Sequence, residues 1–163
     1  MTNTPGSKLL VLFVCTGNTC RSPMAAAALN QELGPEAVRA DVRSAGTAAW
    51  EGQPASDGAR QVAARNGVDL SAHRSQRATV DGVKSADLIL AMEPEHARAV
   101  LGMGADPKRV HVLSEWPEGG AGELPVSDPF GASIEAYEEC WSRIRRHVER
   151  VAPRIREALR ART

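Results

Sequence analysis

The chain has 163 residues, and 20 lysines and arginines balance 20 aspartates and glutamates, so its formal net charge is zero. That balance offers no electrostatic footprint for nucleic acid or an anionic membrane surface, and no apolar run is long enough to span a bilayer. Three cysteines, an odd number, argue against a secreted disulfide framework.

One domain of this length can build a single good core. Residues 1–7 are polar, lack a signal-peptide core and read as a disordered tail before one domain at 8–163. Residues 8–14 are almost unbroken apolar, the pattern of a central parallel strand covered on both faces. Cys15-Thr16-Gly17-Asn18-Thr19-Cys20-Arg21-Ser22-Pro23 follows. Gly17 and Asn18 tolerate positive φ, so the chain can coil tightly there. Ser22 is expected as a helix N-cap with Pro23 at the first helical position. That helix should run to Leu33 and stop at Gly34-Pro35.

A loop closed onto a helix N-terminus converges its backbone N–H groups and binds anions. Cys15, at its start, is expected to have a depressed pKa and to act as a thiolate nucleophile. Arg21, at its end, matches two oxygens of a tetrahedral oxyanion with its planar fork. Nucleophile and anion clamp in one loop point to phosphoryl transfer through a covalent cysteine intermediate. The Cys-x5-Arg spacing is not specific by itself, and Cys140 with Arg146 repeats it. That second pair lies in a glycine-free helical stretch, where six residues turn the side chain by about 240° and no cradle of N–H groups forms.

Residues 38–44 alternate apolar and polar and read as an edge strand, ended by Ala45-Gly46-Thr47. The loop at 47–54 carries Trp50, which either folds onto the nearby surface or walls a substrate cleft. Residues 56–66 form a helix, and His73 sits in the connector that follows, where a histidine is usually structural. A short helix at 79–85 leads to a buried strand at 86–92. Glu93-Pro94-Glu95 then opens a helix with acids at its positive end. A short strand at 110–113 precedes a long Gly-, Pro- and Glu-rich loop at 114–127, which delivers Asp128. Ser133 caps a final helix reaching at least Val151, and Pro153 should kink or restart it. Residues 143–163 hold eight arginines and two glutamates, the composition of a solvated helix face. Helices alternate with strands throughout, so the sheet should be parallel.

The Cys15 to Pro23 stretch resembles the phosphate-binding loop of the low-molecular-weight protein tyrosine phosphatases. Asp128-Pro129-Phe130 resembles that family's Asp-Pro-aromatic acid loop. The resemblance extends over nearly the whole chain after the first seven residues. It implies a three-layer α/β/α sandwich with a four-stranded parallel sheet in the order 2-1-3-4, the active loop at the carboxyl end of the first strand. It also implies roles. Cys15 attacks phosphorus, while Arg21 and the N–H groups of Thr16, Gly17, Asn18, Thr19, Cys20 and Arg21 hold the equatorial oxygens. Ser22 donates to the sulfur, and Asp128 serves as general acid and then base. Ser44 and His73 hydrogen-bond around Asn18 and hold the loop's shape. Trp50 and Phe130 wall the cleft with Thr19, and Cys20 can form a reversible disulfide with Cys15.

Such an enzyme takes phosphorylated protein substrates, needs no cofactor or metal, and works in the cytoplasm as a monomer or at most a weak dimer. A slot between Trp50 and Phe130 excludes phosphoserine but admits phosphotyrosine and phosphoarginine. Thr19 and the run Asp128-Pro129-Phe130-Gly131-Ala132-Ser133 resemble the family's arginine-phosphatase branch, departing from its pattern at Ala132. Phosphoarginine is therefore expected ahead of phosphotyrosine. Two rival readings share the loop. One is a thiol-dependent arsenate reductase, which needs further cysteines as a relay, and this chain has none between Cys20 and Cys140. The other is a non-enzymatic phosphate-binding module, which would not need Asp128.

Overall fold

A strand that must bury both faces explains the architecture. The computed structural model describes residues 6–117 and 124–162. The expected tail at 1–5 and the middle of the 114–127 loop lie outside the described residues. β1 (Leu9–Cys15) pairs in parallel with β2 (Ala40–Gly46) on one side and β3 (Leu88–Ala91) on the other. β4 (Val110–Val112) pairs in parallel with β3, so the order is β2-β1-β3-β4, as the resemblance implied.

Successive β1 side chains alternate between two cores. Leu9, Val11, Phe13 and Cys15 join the larger one, against α1 (Arg21–Leu33), α2 (Asp57–Arg65) and α5 (Ile134–Arg160). Leu12 and Val14 join the smaller one, with Val83 of α3 (Val80–Ser85) and Val100 of α4 (Pro94–Gly102). Helices thus cover both faces, giving the three layers. The chain leaves β1 for β2 on one side of the sheet, and leaves β3 for β4 on the other. The carboxyl end of β1 is therefore the switch point where open α/β sheets bind ligands.

Several boundaries differ from the sequence reading, among them β3, shorter than the expected 86–92, and β2, which runs on to Gly46. α1 begins at Arg21, and its N-cap is Cys20, not Ser22. Ser22 is already helical because its hydroxyl is engaged elsewhere, and Pro23 falls within the first turn, where its missing N–H costs nothing. β2 starts at Ala40, because Gly34–Arg39 forms a 3-10 turn that leaves Val38 exposed. The final helix passes through Pro153 without a restart. Buried Ile144, Val148, Val151, Ile155 and Leu159 continue one apolar stripe across the proline. Packing of that stripe outweighs a helix-interior penalty of about 3 kcal/mol.

Candidate active site

Cys15 ends β1 buried, opposite Gly46 of β2. The following loop is tied to the β2 end by Thr47 N–H donating to the Cys15 carbonyl (2.9 Å) and Ala48 N–H to the Thr16 carbonyl (3.0 Å). Only a glycine fits at 46, since a Cβ there would lie 2.4 Å from the Thr16 carbonyl oxygen. Asn18 takes φ +57° and is fully buried. Among the described residues it is the single non-glycine with positive φ.

Asn18 orders the loop through every polar atom it carries. Its Oδ1 accepts from Gln76 N–H (2.9 Å), and its carbonyl pairs with His73 Nε2 (2.7 Å). Its Nδ2 donates to Ser22 Oγ (2.8 Å). Ser22 Oγ lies 2.9 Å from Cys15 Sγ, and its one hydroxyl hydrogen is placed to donate to that sulfur when it is ionised. The Asn18 N–H adds a second donor to the sulfur at 3.3 Å. His73 thus lies beside Asn18 as the resemblance implied. Ser44 does not hydrogen-bond Asn18 among the described residues. Its carbonyl accepts from Gln76 Nε2 (2.9 Å), and Gln76 is the link the sequence reading missed.

The thiol itself departs from expectation. Burial pushes the Cys15 pKa up, against the opposing pull of the Ser22 hydrogen bonds, the Arg21 charge and the Asn18 N–H. The sequence reading counted the donors and the cation but not the cost of removing a sulfur anion from water. The Ser22 and Asn18 donors and the Arg21 charge offset part of that cost, and burial still sets the direction.

Arg21 is 3% exposed, and its side chain is held from behind. Its Nη1 pairs with Glu93, the N-cap of α4, and donates to the Val126 carbonyl (3.0 Å). Its Nη2 lies 3.8 Å from Asp128 Oδ2. Arg21 and Asp128, from opposite ends of the chain, thus share one spot. Asp128 is half-exposed, and its Oδ1 accepts from Phe130 N–H (3.0 Å). Glu93 was read from sequence only as an acid at a helix start. Nothing local in the sequence joins it to Arg21.

The loop floors a cleft of ≈ 590 Å³ whose walls include Trp50 and Phe130, 80% and 68% exposed, with Thr19, Asp57 and Asp128. The Trp50 segment is pinned from below. Buried Ser75 donates its hydroxyl to the Trp50 carbonyl and accepts from Gln53 N–H (2.9 Å). The ring stands in the cleft because its backbone is tied, not because it is packed. Cys20 also lines the cleft, with Ser56 Oγ at 3.1 Å and Tyr137 Oη at 3.5 Å. Cys15, Cys20 and Cys140 are all free thiols. Cys140 is buried in the core, and burial pushes its pKa up to about 12.

Glu93, Glu95 and His96 bring three ligand-type atoms within 4.8 Å of one another. Their chemistry does not suit a metal. His96 Nδ1 accepts from Glu93 N–H (3.1 Å), so the hydrogen of the neutral ring is on Nε2, which then has no lone pair to offer. Glu93 is committed to Arg21.

A buried cysteine hydrogen-bonded to Ser22 and Asn18, an arginine six residues on at the start of the next helix, and an aspartate beside that arginine define a cysteine-based phosphatase site. Residues 10–161 match the profile of the family described as low molecular weight phosphotyrosine protein phosphatase. The chain belongs to that family. It is 38% identical over 146 residues to a probable low molecular weight protein-tyrosine-phosphatase, EpsP, of Ralstonia nicotianae, covering 90% of this chain and 95% of that one. It is 36% identical to a protein-arginine-phosphatase of Geobacillus stearothermophilus, covering 89% and 95%. A solved structure of a YwlE arginine phosphatase mutant with a phosphorylated active-site serine superposes with a TM-score of 0.84 at 32% identity, covering 93% of this chain and 99% of that one. The protein is a cysteine-dependent phosphoprotein phosphatase.

Proposed function

We propose that this phosphatase acts on phosphoarginine side chains through a phosphocysteine at Cys15. The observation that carries the cysteine mechanism is the Cys15 sulfur receiving Ser22 O–H and Asn18 N–H beside Arg21. Cys15 Sγ attacks phosphorus, and the bond from phosphorus to the leaving nitrogen breaks. Arg21 and the N–H groups of Thr16 to Arg21 hold the equatorial oxygens. Asp128 gives its proton to the leaving guanidine, then takes one from the water that cleaves the S–P bond. Inorganic phosphate leaves, and the sulfur returns as thiolate.

The choice of phosphoarginine rests on Thr19, on the Asp128 to Ser133 run and on carboxylates in the cleft. A guanidinium keeps planar N–H donors, which Asp128 and Asp57 at the cleft can accept. Arsenate reduction by a cysteine relay finds no support, because Cys140 is buried and held as a thiol. No helix among the described residues is long and apolar enough to cross a membrane. We assign the protein to the cytoplasm, where a catalytic thiol stays reduced, acting as a monomer.

The test compares turnover of matched phosphoarginine and phosphotyrosine peptides by the parent, Thr19→Ile and Cys15→Ser proteins. The parent should prefer phosphoarginine, Thr19→Ile should shift the ratio toward phosphotyrosine by about tenfold or more, and Cys15→Ser should release no phosphate. An unaltered ratio in Thr19→Ile removes the specificity assignment. Phosphate release by Cys15→Ser removes the mechanism.

A further inference from the structure

The N-terminus of α4 touches both ends of the catalytic loop. Glu93, its N-cap, holds the Arg21 guanidinium. Three residues on, His96 holds Thr16, the neighbour of the nucleophile, with Nε2 at 2.8 Å from Thr16 Oγ1. The two gripping residues also grip each other: His96 Nδ1 accepts from the Glu93 N–H at 3.1 Å, while the Glu93 side chain accepts from the backbone of His96. This is a capping box with histidine in the place usually taken by glutamate or glutamine.

The hydrogen-bond roles are forced. A backbone N–H can only donate, so His96 Nδ1 is the acceptor and Nε2 carries the ring hydrogen. Thr16 Oγ1 is therefore an acceptor. His96 is 1% exposed, so this Nε2–H has little access to water. Glu95 Oε1, at 3.6 Å, is too distant to replace Thr16 as its partner. Burial and the nearby Arg21 charge both favour the neutral ring, opposed by Glu93, Glu95 and Asp128.

We propose that His96 is a positioning residue that acts through the Thr16 hydroxyl. Together, His96 and Glu93 form one brace fixing the first and last residues of the phosphate-binding loop relative to each other. The inference rests on the cysteine-phosphatase reading and adds a specific requirement to it. The six N–H groups of the loop can converge on a trigonal-bipyramidal phosphoryl group only if the loop's two ends keep their separation. A loosened Thr16 still binds the substrate's phosphate but holds the transition state less well.

The experiment is a double-mutant cycle on hydrolysis of p-nitrophenyl phosphate, with melting temperature recorded for each protein. Thr16→Val removes the acceptor at constant shape, and His96→Leu removes the donor. Each should lower kcat by roughly tenfold with KM within about twofold. The double variant should be no slower than Thr16→Val alone, because the two residues act as one unit. His96→Gln, which can accept from Glu93 N–H and donate to Thr16, should recover most of the kcat. Thr16→Ser should do the same. A double variant near a hundredfold slower, the product of independent losses, overturns the proposal. So does a Thr16→Val protein with the parent's kcat, and this result is readable even if His96→Leu does not fold. Failure of the parent to hydrolyse the ester removes the phosphatase reading itself, a separate result from either of these.

Discussion

At the scale of single residues, the sulfur is governed by a chain of donors that starts in the connector after α2. Gln76 N–H fixes which end of the Asn18 amide faces Ser22, which leaves the Ser22 hydrogen available to an ionised Cys15. Burial acts in the opposite direction and is the largest influence on this thiol. Removing Ser22's hydrogen bond by Ser22→Ala leaves burial less opposed, so the Cys15 pKa should rise further. The pH midpoint of iodoacetamide alkylation should move to higher pH than in the parent. Turnover at pH 7 should fall by roughly tenfold, the worth of one hydrogen bond to an anion. An alkylation midpoint that stays in place would show that Ser22 does not support the thiolate. The residues of this chain from Cys15 to Ser22 were legible in sequence because they are contiguous. Gln76 and Ser75 were not. They are ordinary polar residues in a connector, and their importance comes from which backbone groups the fold leaves beside them.

Among the elements, β1 was the most legible, since a strand covered on both faces has to be apolar at every position. α5 was read less well. Its proline suggested a break, but the apolar stripe is identical in phase on both sides, and packing outweighs a local defect. The residue at 153 has no N–H to offer the preceding turn, so Pro153→Ala should stabilise the protein by about 1–3 kcal/mol. The expected result in urea is a higher unfolding midpoint with an unchanged slope. An equal or lower midpoint would mean that the helix has adjusted its neighbours around the ring. The arginines of the same helix, and Arg162 just past its end, also differ from a plain solvated face. Arg156 reaches Glu36 (2.9 Å) and the Glu32 carbonyl (2.7 Å), Arg145 reaches Gln31 (3.0 Å), and Arg162 reaches Asp87 (2.8 Å). Many of these side chains fasten the helix to the rest of the fold. The exposed pairs contribute little individually, and their composition alone could not have told fastening from solvation.

For the molecule as a whole, the site is an intersection of distant segments. The nucleophile loop, the Trp50 segment and the Asp128-Pro129-Phe130 turn each build one side of the cleft. A lone Asp-Pro reads as a turn, and only the fold brings this one within 3.8 Å of Arg21. Asp128→Asn keeps the shape but cannot supply a proton. Turnover of a poor leaving group should fall by roughly a hundredfold or more, and that of an activated aryl phosphate by much less. Equal slowing of the two would exclude Asp128 as the acid. The same reasoning explains why Glu93 went unread. It sits 72 residues from Arg21, and the sequence carries no periodicity that connects them.

The guanidinium of Arg21 is seated against the carbonyl of Val126, which is 105 residues further along. While the polypeptide is still emerging from the ribosome, its reactive sulfur is made early, but the seat for its partner is made late. A nascent chain that has not yet reached Val126 consequently lacks part of the seat for its own guanidinium.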